Sequence, residues 1–453
     1  MTSPNHRPSR FLVEHGISWE GNQWCVLLHT VNRSLKLLEQ EPWNAIKTGR
    51  ITKAYGPLFE DLCRSDILAP EGVDEVKVLK NWRNSQYYAN KELAVKVKVT
   101  EDCNLACDFC IQEGMKRPVS MSREIAEQCV TFLRDRIAKE KPEAVRVMLT
   151  GGEPLMNQTA IRSFGMLLQF CNGKGIPCDL SLTTNGTLLT RKMVRELHWL
   201  GVRTVRVSIF GTRETHDRRR TFKNGSGSYR LIEQNLLEAA PFVRFRILMQ
   251  YDEQNEDYLK YPKLFQRLKE LGLDEAVEDV EMGPLLPREY DFGRLGSTLC
   301  SNVSKPEIYA YLEDEARKYG LKPPVELPSS GCMANYRSCL VIDVDGNLVS
   351  CPTISHSQHP GLTYGNVCRG IDFVKESQVI ARPLADSCFE CNVAGLCDGG
   401  CRQQSLVKNG DFDGLHCTRE YLEALVRKYM EDKVKGYLSS LRGTEAGRKA
   451  RAA

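Results

Sequence analysis

Residues 100–110 read TEDCNLACDFC, and they follow an apolar, alternating run at residues 93–99 that predicts a β-strand. Within the stretch, Cys103, Cys107 and Cys110 have the spacing C-x3-C-x2-C. Three closely spaced thiolates suit an iron–sulfur cubane and leave one of its irons without a protein ligand. Zinc would want a nearby fourth ligand, and none follows in the next stretch. The pattern favours a cluster with one iron open to a substrate, over a zinc site or three buried thiols.

The composition is that of a globular protein of two or three domains, because 453 residues can bury more than one core. A net charge of +4 is small for this length and argues for neither a nucleic-acid nor a membrane partner. The first ten residues lack the apolar segment of a secretion signal, and no run approaches a membrane span. Eighteen cysteines at short spacings then indicate metal binding in a reducing compartment, so we expect a cytoplasmic protein.

Strands and helical stretches alternate between residues 93 and 282, which predicts parallel strands in a barrel-like sheet. In such barrels the chemistry lies at the carboxyl ends of the strands. The fold class we predict is α/β, with a partial (β/α)6 TIM-like barrel at its centre. The six predicted strands are Ala94–Val99, Val145–Leu149, Asp179–Thr183, Thr204–Phe210, Val243–Gln250 and Ala276–Met282. Ser122 and Thr190 are the predicted N-caps of the helices that follow the first and the third strand.

Each of the first four strands leads into a stretch with functional character. The cysteine loop follows the first strand, and a GGEP motif, Gly151-Gly152-Glu153-Pro154, follows the second. Its two glycines let the backbone approach a ligand closely, while Glu153 places a carboxylate and nearby carbonyls where an ammonium can dock. Asn185 follows the third strand, and Ser208 lies at the end of the fourth. We therefore expect all of these groups on one face of the barrel.

The cysteine spacing, Phe109 just before the third cysteine, and the GGEP motif resemble the signatures of radical S-adenosylmethionine (SAM) enzymes. In that family three cysteines hold a [4Fe–4S] cluster, SAM chelates the open iron, and one electron cleaves SAM to a 5′-deoxyadenosyl radical. The resemblance implies that Cys103, Cys107 and Cys110 hold this cluster. It also implies SAM contacts from Phe109, Gly151, Gly152, Glu153, Pro154, Asn185 and Ser208, although Asn185 and Ser208 could equally satisfy backbone groups.

The acid and base of the reaction are not apparent in the sequence. The run Ser208-Ile209-Phe210-Gly211 resembles a subgroup with auxiliary clusters, in which an aspartate more often stands where Phe210 does. His216-Asp217 fits either a proton-handling pair or a salt-bridged loop. Asp291 and Glu289, in the loop after the sixth strand, stand where a barrel places an acid or base, but surface carboxylates are more common there.

A second group of cysteines begins after residue 329, where the composition shifts to cysteine, glycine and turn residues. Eight thiolates are enough to close two four-iron clusters, and zinc ribbons are the alternative. The spacing closely resembles the SPASM domain, and that resemblance implies two quartets. A near auxiliary cluster would be held by Cys332, Cys339, Cys351 and Cys401, and a far one by Cys388, Cys391, Cys397 and Cys417.

The N-terminal region has its own pattern, a hairpin around residues 24–38 followed by helical stretches at 42–47 and 51–64. It resembles the winged-helix-like region of peptide-modifying radical SAM enzymes, which captures a leader peptide along a strand edge; a simple packing cap is the other interpretation. The domains we predict are a winged-helix-like region at 1–90, a radical SAM partial barrel at 91–325, a SPASM domain at 326–420, and a C-terminal helix with a polar tail at 421–453.

The family resemblance implies a peptide maturase with three [4Fe–4S] clusters and SAM as cofactors. Its radical would abstract hydrogen from a ribosomally made peptide and give an oxidised or cross-linked product. The expected partners are a precursor peptide or protein client and a one-electron donor such as flavodoxin or ferredoxin. Two alternatives are an anaerobic sulfatase-maturating enzyme, which forms formylglycine, and a non-catalytic iron–sulfur electron-transfer or scaffold protein.

Overall fold

A computed structural model describes most of the chain: residues 6–19, 21–49, 56–89, 91–110, 112, 116–252, 255–285, 305–323, 327 and 331–440. Asp291 and Glu289 lie outside the described residues. Among those that are described, no helix is both long and apolar enough to cross a membrane.

The N-terminal region contains the predicted hairpin, extended by a strand that the sequence analysis did not find. The chain forms β1 His6–Pro8, β2 Leu12–Trp19, β3 Asn22–His29, β4 Leu35–Glu39, α1 Gln40–Lys47, α2 Gly56–Arg64, β5 Leu68–Pro70 and α3 Glu75–Tyr87. Strands β2, β3 and β4 form an antiparallel sheet in that order, and β1 pairs with β5. Because alternate side chains of a strand face opposite sides, this small sheet presents two apolar faces, and both are buried.

The six predicted barrel strands are confirmed as parallel neighbours in chain order. They are β6 Glu92–Thr100, β7 Ala144–Gly151, β8 Cys178–Thr184, β9 Thr204–Ile209, β10 Arg244–Tyr251 and β11 Val277–Pro284. The intervening helices are α4 Arg123–Glu140, α5 Gln158–Gly173, α6 Arg191–Trp199, α7 Arg213–Arg219, α8 Tyr229–Ala239 and α9 Tyr261–Glu270, and α10 Pro306–Lys318 follows β11. The outward residues of the strands pack on these helices in the largest apolar core.

Local signals set the helix ends as the sequence predicts. The Ser122 side chain accepts a hydrogen bond from the Ile125 amide and so caps α4. Thr190 caps α6 in the same way through the Met193 amide. Each cap satisfies a backbone donor that the first helical turn leaves free.

The cysteine-rich segment extends the barrel sheet instead of forming a separate layer. Strand β12 Cys339–Ile342 pairs in parallel with β6, and β13 Asn347–Val349, β14 Thr363–Asn366 and β15 Gly370–Ile371 continue the sheet antiparallel. Four helices accompany them: α11 Phe373–Val379, α12 Asp386–Phe389, α13 Arg402–Asn409 and α14 Arg419–Ser440. The segment is therefore joined to the barrel by backbone hydrogen bonds beside the strand that leads to the first cysteine loop.

The C-terminal helix covers one face of the N-terminal sheet. Val26 and Leu28 of β3 share a core with Val426 and Met430 of α14 and with Leu396 of the cysteine-rich segment. The opposite face of the sheet packs on α1 and α2 through Leu27, Trp43 and Leu62, among others. The sheet thus has both faces covered, and strand edges are what it leaves open.

Candidate active site

The motifs singled out in the sequence meet at the carboxyl edge of the barrel. The cysteine loop follows β6, Gly152 and Glu153 follow β7, and Asn185 follows β8. Backbone bonds join the first two, because the Gly152 amide donates to the Thr100 carbonyl at 2.9 Å and the Glu153 amide to the Asp102 carbonyl at 2.9 Å. The loop of thiols and the GGEP turn therefore form one unit.

The loop after β9 holds the cysteine loop from its other side. The Ala106 amide donates to the Thr221 carbonyl at 2.8 Å, and the Asp108 amide donates to the Arg219 carbonyl at 3.2 Å. The Cys103 sulfur accepts from the Leu105 amide at 3.4 Å. Burial raises the pKa of Cys103 to about 11, so a bound metal must supply the positive charge that stabilises its thiolate.

Both glycines of the GGEP turn are required by close backbone packing. A Cβ on Gly152 would lie 2.0 Å from the Asp102 carbonyl oxygen, and one on Gly151 would lie 2.0 Å from that of Thr100. Any side chain at these positions would push the turn away from the cysteine loop. Pro154 is buried behind them and begins a short 3-10 turn.

Glu153 organises this turn from within. Its side chain is fully buried, and its carboxylate accepts hydrogen bonds from the Leu155 amide at 3.1 Å, the Thr184 hydroxyl at 2.6 Å and the Asn185 amide at 2.7 Å. Burial raises the pKa of the carboxyl, and these donors oppose the rise. The carboxylate thus joins the ends of β7 and β8 and adds negative charge beside the cysteine loop.

Asn185 and Ser208, the two predicted polar contacts, have different surroundings. The Asn185 side-chain amide donates to Asn104 Oδ1 at 2.8 Å and lies 3.8 Å from the Cys103 sulfur, so it braces the cysteine loop. Ser208 is half-buried in β9, two residues after Arg206 and on the same side of the strand. Arg206 forms an ion pair with Glu281 of β11.

Phe210, where the subgroup resemblance led us to expect an aspartate, is part of an aromatic cluster. Its ring centroid lies 4.9 Å from that of Phe109, and both pack with Cys107. The Arg219 guanidinium lies over both rings, at 4.9 Å from Phe210 and 5.3 Å from Phe109, and pairs with Asp108 and Asp252. At position 210 the chain therefore has an apolar side chain that shields Cys107, in place of the expected carboxylate.

Arg220 is a candidate that the sequence analysis did not find. The residue is 7% exposed, its guanidinium lies 5.9 Å from the Phe109 ring, and its positive charge acts on Glu153. Its buried Nε atom makes no hydrogen bond. A buried guanidinium with unused donors is costly unless an anion binds it. Three consecutive arginines after His216-Asp217 were the available signal.

His216 is a structural histidine instead of half of a proton-handling pair. Its ring is fully buried; Nδ1 accepts from the Phe210 amide at 3.2 Å, and Nε2 contacts the Ser228 hydroxyl at 3.1 Å. That hydroxyl donates to the Arg220 carbonyl, so Nε2 is the donor in the histidine–serine contact. Burial holds the pKa of His216 well below 6.5. Asp217 accepts from the Tyr229 amide at 2.8 Å.

The C-terminal cysteines lie near one another in two sets. Burial raises the pKa of both Cys339 and Cys351 to about 11, and the negative charge of Cys332 raises each further; Cys401 acts on Cys351 as well. These four are the predicted near quartet. A metal would stabilise all four thiolates at once, which fits a cluster ligand set.

The cysteines predicted to form the far quartet are connected less directly. Burial raises the pKa of Cys388, and Cys417 and Cys391 add to the rise. Cys397 shares the positive charge of Arg83 with Cys388. Within the described part of the chain no group of His, Cys, Asp or Glu converges on a point that suits a single metal ion. A cubane distributes its ligands over four irons, so its cysteines need not converge in that way.

A separate cavity of about 530 Å³ lies between the outer barrel strand, α10 and α14. Arg246 and Asp279, near the amino ends of their strands, line it and form an ion pair at 3.4 Å, as do Arg317 and Asp432 at 2.9 Å. Its position sets it apart from the carboxyl-edge site. Its charges are largely engaged with one another.

Comparison with known proteins decides the family of the central domain. A model of the radical SAM superfamily matches residues 97–261, from β6 to the start of α9. Residues 97–261 are a radical SAM domain. Membership of this superfamily implies a [4Fe–4S] cluster and SAM, and the barrel with its three-cysteine loop agrees with it.

Two curated relatives extend the comparison. An AdoMet-dependent heme synthase of Oleidesulfovibrio alaskensis is 26% identical over 349 residues, which is 69% of this chain and 83% of the relative. A serine-type anaerobic sulfatase-maturating enzyme of Bacteroides thetaiotaomicron is 35% identical over 158 residues, 32% of this chain and 36% of the relative. The relatives of this chain thus have different named activities.

Two solved structures share the fold around the radical SAM domain. Native anSMEcpe with bound AdoMet and Kp18Cys peptide has a TM-score of 0.58 at 19% identity, covering 78% of this chain and 99% of that one. Streptococcus suis SuiB bound to precursor peptide SuiA has a TM-score of 0.53 at 15% identity, covering 92% of this chain and 99% of that one. The structural similarity establishes the shared fold, whereas sequence identity below 20% leaves the substrate open.

Proposed function

We propose that this protein is a radical SAM peptide maturase that abstracts hydrogen from a ribosomally made peptide and yields an oxidised or cross-linked product. The observation that carries the proposal is the N-terminal sheet, which shares one core with the cysteine-rich segment and, in the described part of the chain, has β4 as an unpaired edge strand. The two solved structures support the same substrate class, because anSMEcpe holds the Kp18Cys peptide and SuiB holds the precursor peptide SuiA.

The outer edge of β4 is suited to take up a peptide strand. Strand β4 pairs with β3 on one side, and no strand of the described residues pairs with it on the other. The His29 amide donates to the Ser34 carbonyl, so by the alternation of an antiparallel ladder the Leu37 amide points away from β3. Leu35 and Leu37 are half-buried there and offer apolar contacts. Backbone pairing would then supply affinity for a leader peptide.

The residues around the first cysteine loop fit an iron–sulfur cluster with bound SAM. When bound, these groups supply the 5′-deoxyadenosyl radical. Cys103, Cys107 and Cys110 would hold the cluster, and the GGEP turn would lie along the methionine part of SAM. Arg220 would bind the SAM carboxylate through its guanidinium, whose Nε donor the fold leaves unused.

The same residues would protect a radical. Phe109 and Phe210 exclude water beside Cys107, and Arg219 holds both rings from the side. The two cysteine quartets would hold auxiliary clusters, for a total of three. A one-electron donor such as flavodoxin or ferredoxin would start the reaction.

The test is the mass of a small peptide encoded beside this gene after anaerobic co-expression with the enzyme. We expect the loss of a pair of hydrogens, abolished by Cys107→Ala. Leu37→Pro, which removes the outward amide at an edge where proline is tolerated, should weaken peptide binding at least tenfold and leave SAM cleavage intact. Leu37→Ala keeps the amide and is the matched control. SAM cleavage with neither mass change nor solvent deuterium uptake in the peptide would refute the proposal.

A sulfatase-maturating activity is the second candidate, because that relative is 35% identical to this chain and the heme synthase only 26%. The match to the sulfatase-maturating enzyme covers 32% of the chain. This second candidate predicts formylglycine formation on a sulfatase-derived serine or cysteine peptide, with no effect of Leu37→Pro. Incubation of the enzyme with a porphyrin tests the activity of the heme synthase, the relative that aligns with 69% of this chain. Absence of 5′-deoxyadenosine from the reduced protein under every condition would point to a non-catalytic electron carrier.

A further inference from the structure

Two lysines project from β6 into the interior of the partial barrel. Lys96 and Lys98 alternate with Val95 and Val97, which belong to the apolar core on the helix side of the sheet. Lys98 is 2% exposed, and Lys96 is half-buried. Burying an ammonium is costly, so two on one strand require a compensating negative charge nearby.

The near quartet lies beside both lysines, and an iron–sulfur cluster held there would add negative charge through its thiolates. Lys98 Nζ donates to the Ile354 carbonyl at 2.7 Å, and the Ile354 amide donates to the Cys351 carbonyl at 3.1 Å, so the ammonium touches the turn that carries this cysteine. Burial lowers the pKa of both lysines, and negative charge at Cys351 opposes this for Lys98, as it does together with Cys339 for Lys96. Pairing between β6 and β12 fixes this arrangement, because Ala94 lies opposite Cys339.

Two carboxylates, Glu101 and Asp343, also place negative charge near Lys98, and each has a further partner. Glu101 pairs with Arg117 at 2.5 Å, and Asp343 accepts from the Asn347 amide at 2.8 Å.

Lys96 also lies near two charged residues of the barrel strands. Its neighbours there are Arg206 and Glu281, which pair with each other. The two lysines therefore place their side chains on the barrel side of the near quartet.

Charge of this kind acts on a redox group. The reduction potential of an iron–sulfur cluster depends on its net charge, its hydrogen bonds and its exposure to solvent. Reduction adds one negative charge, and a buried, fixed cation stabilises the reduced form more than the oxidised form.

We propose that Lys96 and Lys98 are positioning residues that raise the reduction potential of the iron–sulfur cluster held by Cys332, Cys339, Cys351 and Cys401. This inference rests on the proposed function. In that reaction the deoxyadenosyl radical takes one hydrogen atom from the peptide, and the remaining carbon radical loses one electron and one proton. The near cluster would accept the electron, a nearby base or water would accept the proton, and the product would lack two hydrogens.

The experiment is a redox titration of the full-length, iron-loaded protein followed by electron paramagnetic resonance, without SAM or peptide. It is carried out with Cys103, Cys107 and Cys110 replaced by alanine, so that only the four-cysteine clusters contribute. The signal that disappears in Cys339→Ala identifies the near cluster. Iron content and signal intensity at full reduction report whether each variant carries it.

Lys98→Met and Lys96→Met should each lower the equilibrium constant for reduction of the near cluster at least tenfold, which is about 59 mV for one electron. Lys98→Arg keeps the charge and should restore most of the potential, whereas a loss of packing alone would not be rescued. Lys192→Met, on an exposed face of α6, should change nothing. If Lys98→Met fails to load iron, Lys96→Met carries the test.

A shift below threefold in both methionine variants with intact clusters would overturn the inference, and so would a near quartet that holds no cluster. Because the titration contains no substrate, its result is independent of the peptide assay. A lowered potential in an enzyme that fails to modify any peptide would refute the proposed function and leave the role of the lysines standing.

Discussion

Replacing Arg83 with methionine should release α3 from the cysteine-rich segment. Arg83 is 5% exposed and pairs at 2.9 Å with Asp398, which is 6% exposed. Its guanidinium also donates to the carbonyls of Ala394 and Cys397. One turn earlier on the same helix, Lys80 reaches Asp386 at 3.2 Å, but these side chains are 43% and 94% exposed. The helix is thus joined to the segment by one buried and one exposed ion pair.

The two pairs should differ greatly in energy. Removing one partner of a buried pair costs about 3–5 kcal/mol because a charge is left unpaired. The Tyr87 and Tyr336 hydroxyls continue to donate to Asp398, at 3.2 and 3.0 Å, so we take the lower end, about 3 kcal/mol. At about 1.4 kcal/mol per tenfold, local opening of α3 should increase roughly a hundredfold. An exposed pair contributes at most about 1 kcal/mol, so Lys80→Met should increase opening by less than about fivefold.

Hydrogen exchange of the amides of α3, measured by mass spectrometry on the iron-loaded protein, reports this opening directly. Arg83→Met also removes a positive charge that acts on Cys388 and Cys397, so exchange is compared only in protein whose iron content equals that of the unsubstituted enzyme. Equal exchange in Arg83→Met and Lys80→Met would refute the argument from burial.

Two further predictions concern the barrel. Gly152→Ala places a Cβ against the Asp102 carbonyl and should cost about 1–3 kcal/mol of packing, seen as about fivefold or more weaker SAM binding in calorimetry. Gly173→Ala, whose Cβ would meet no neighbour, is the control, and equal SAM affinity of the two variants would contradict the geometry. Because the pKa of His216 is depressed in the folded protein, unfolding takes up a proton below about pH 6.5. The free energy of unfolding therefore decreases as the pH is lowered below 6.5, by up to about 1.4 kcal/mol per pH unit. His216→Gln should flatten that slope in urea melts; an unchanged slope would show that His216 titrates normally.

The sequence by itself determined the barrel. Alternating apolar residues predicted all six parallel strands, and caps such as Ser122 and Thr190 predicted where helices begin, because these signals act within one helical turn or one strand. Placing the cysteine loop and the GGEP turn on one edge followed from the same alternation. The radical SAM match over residues 97–261 agrees with that order.

Tertiary structure alone decided what surrounds those motifs. Phe210 could be recognised as a departure from the family pattern, but its packing on Phe109 under Arg219 depends on how two loops meet. Likewise, no local pattern marks Lys98 as a partner of the Cys351 turn, which lies more than 250 residues further along the chain. Sequence periodicity reports which side of an element is buried; which element covers that side depends on long-range packing, and charges buried there acquire their function from it.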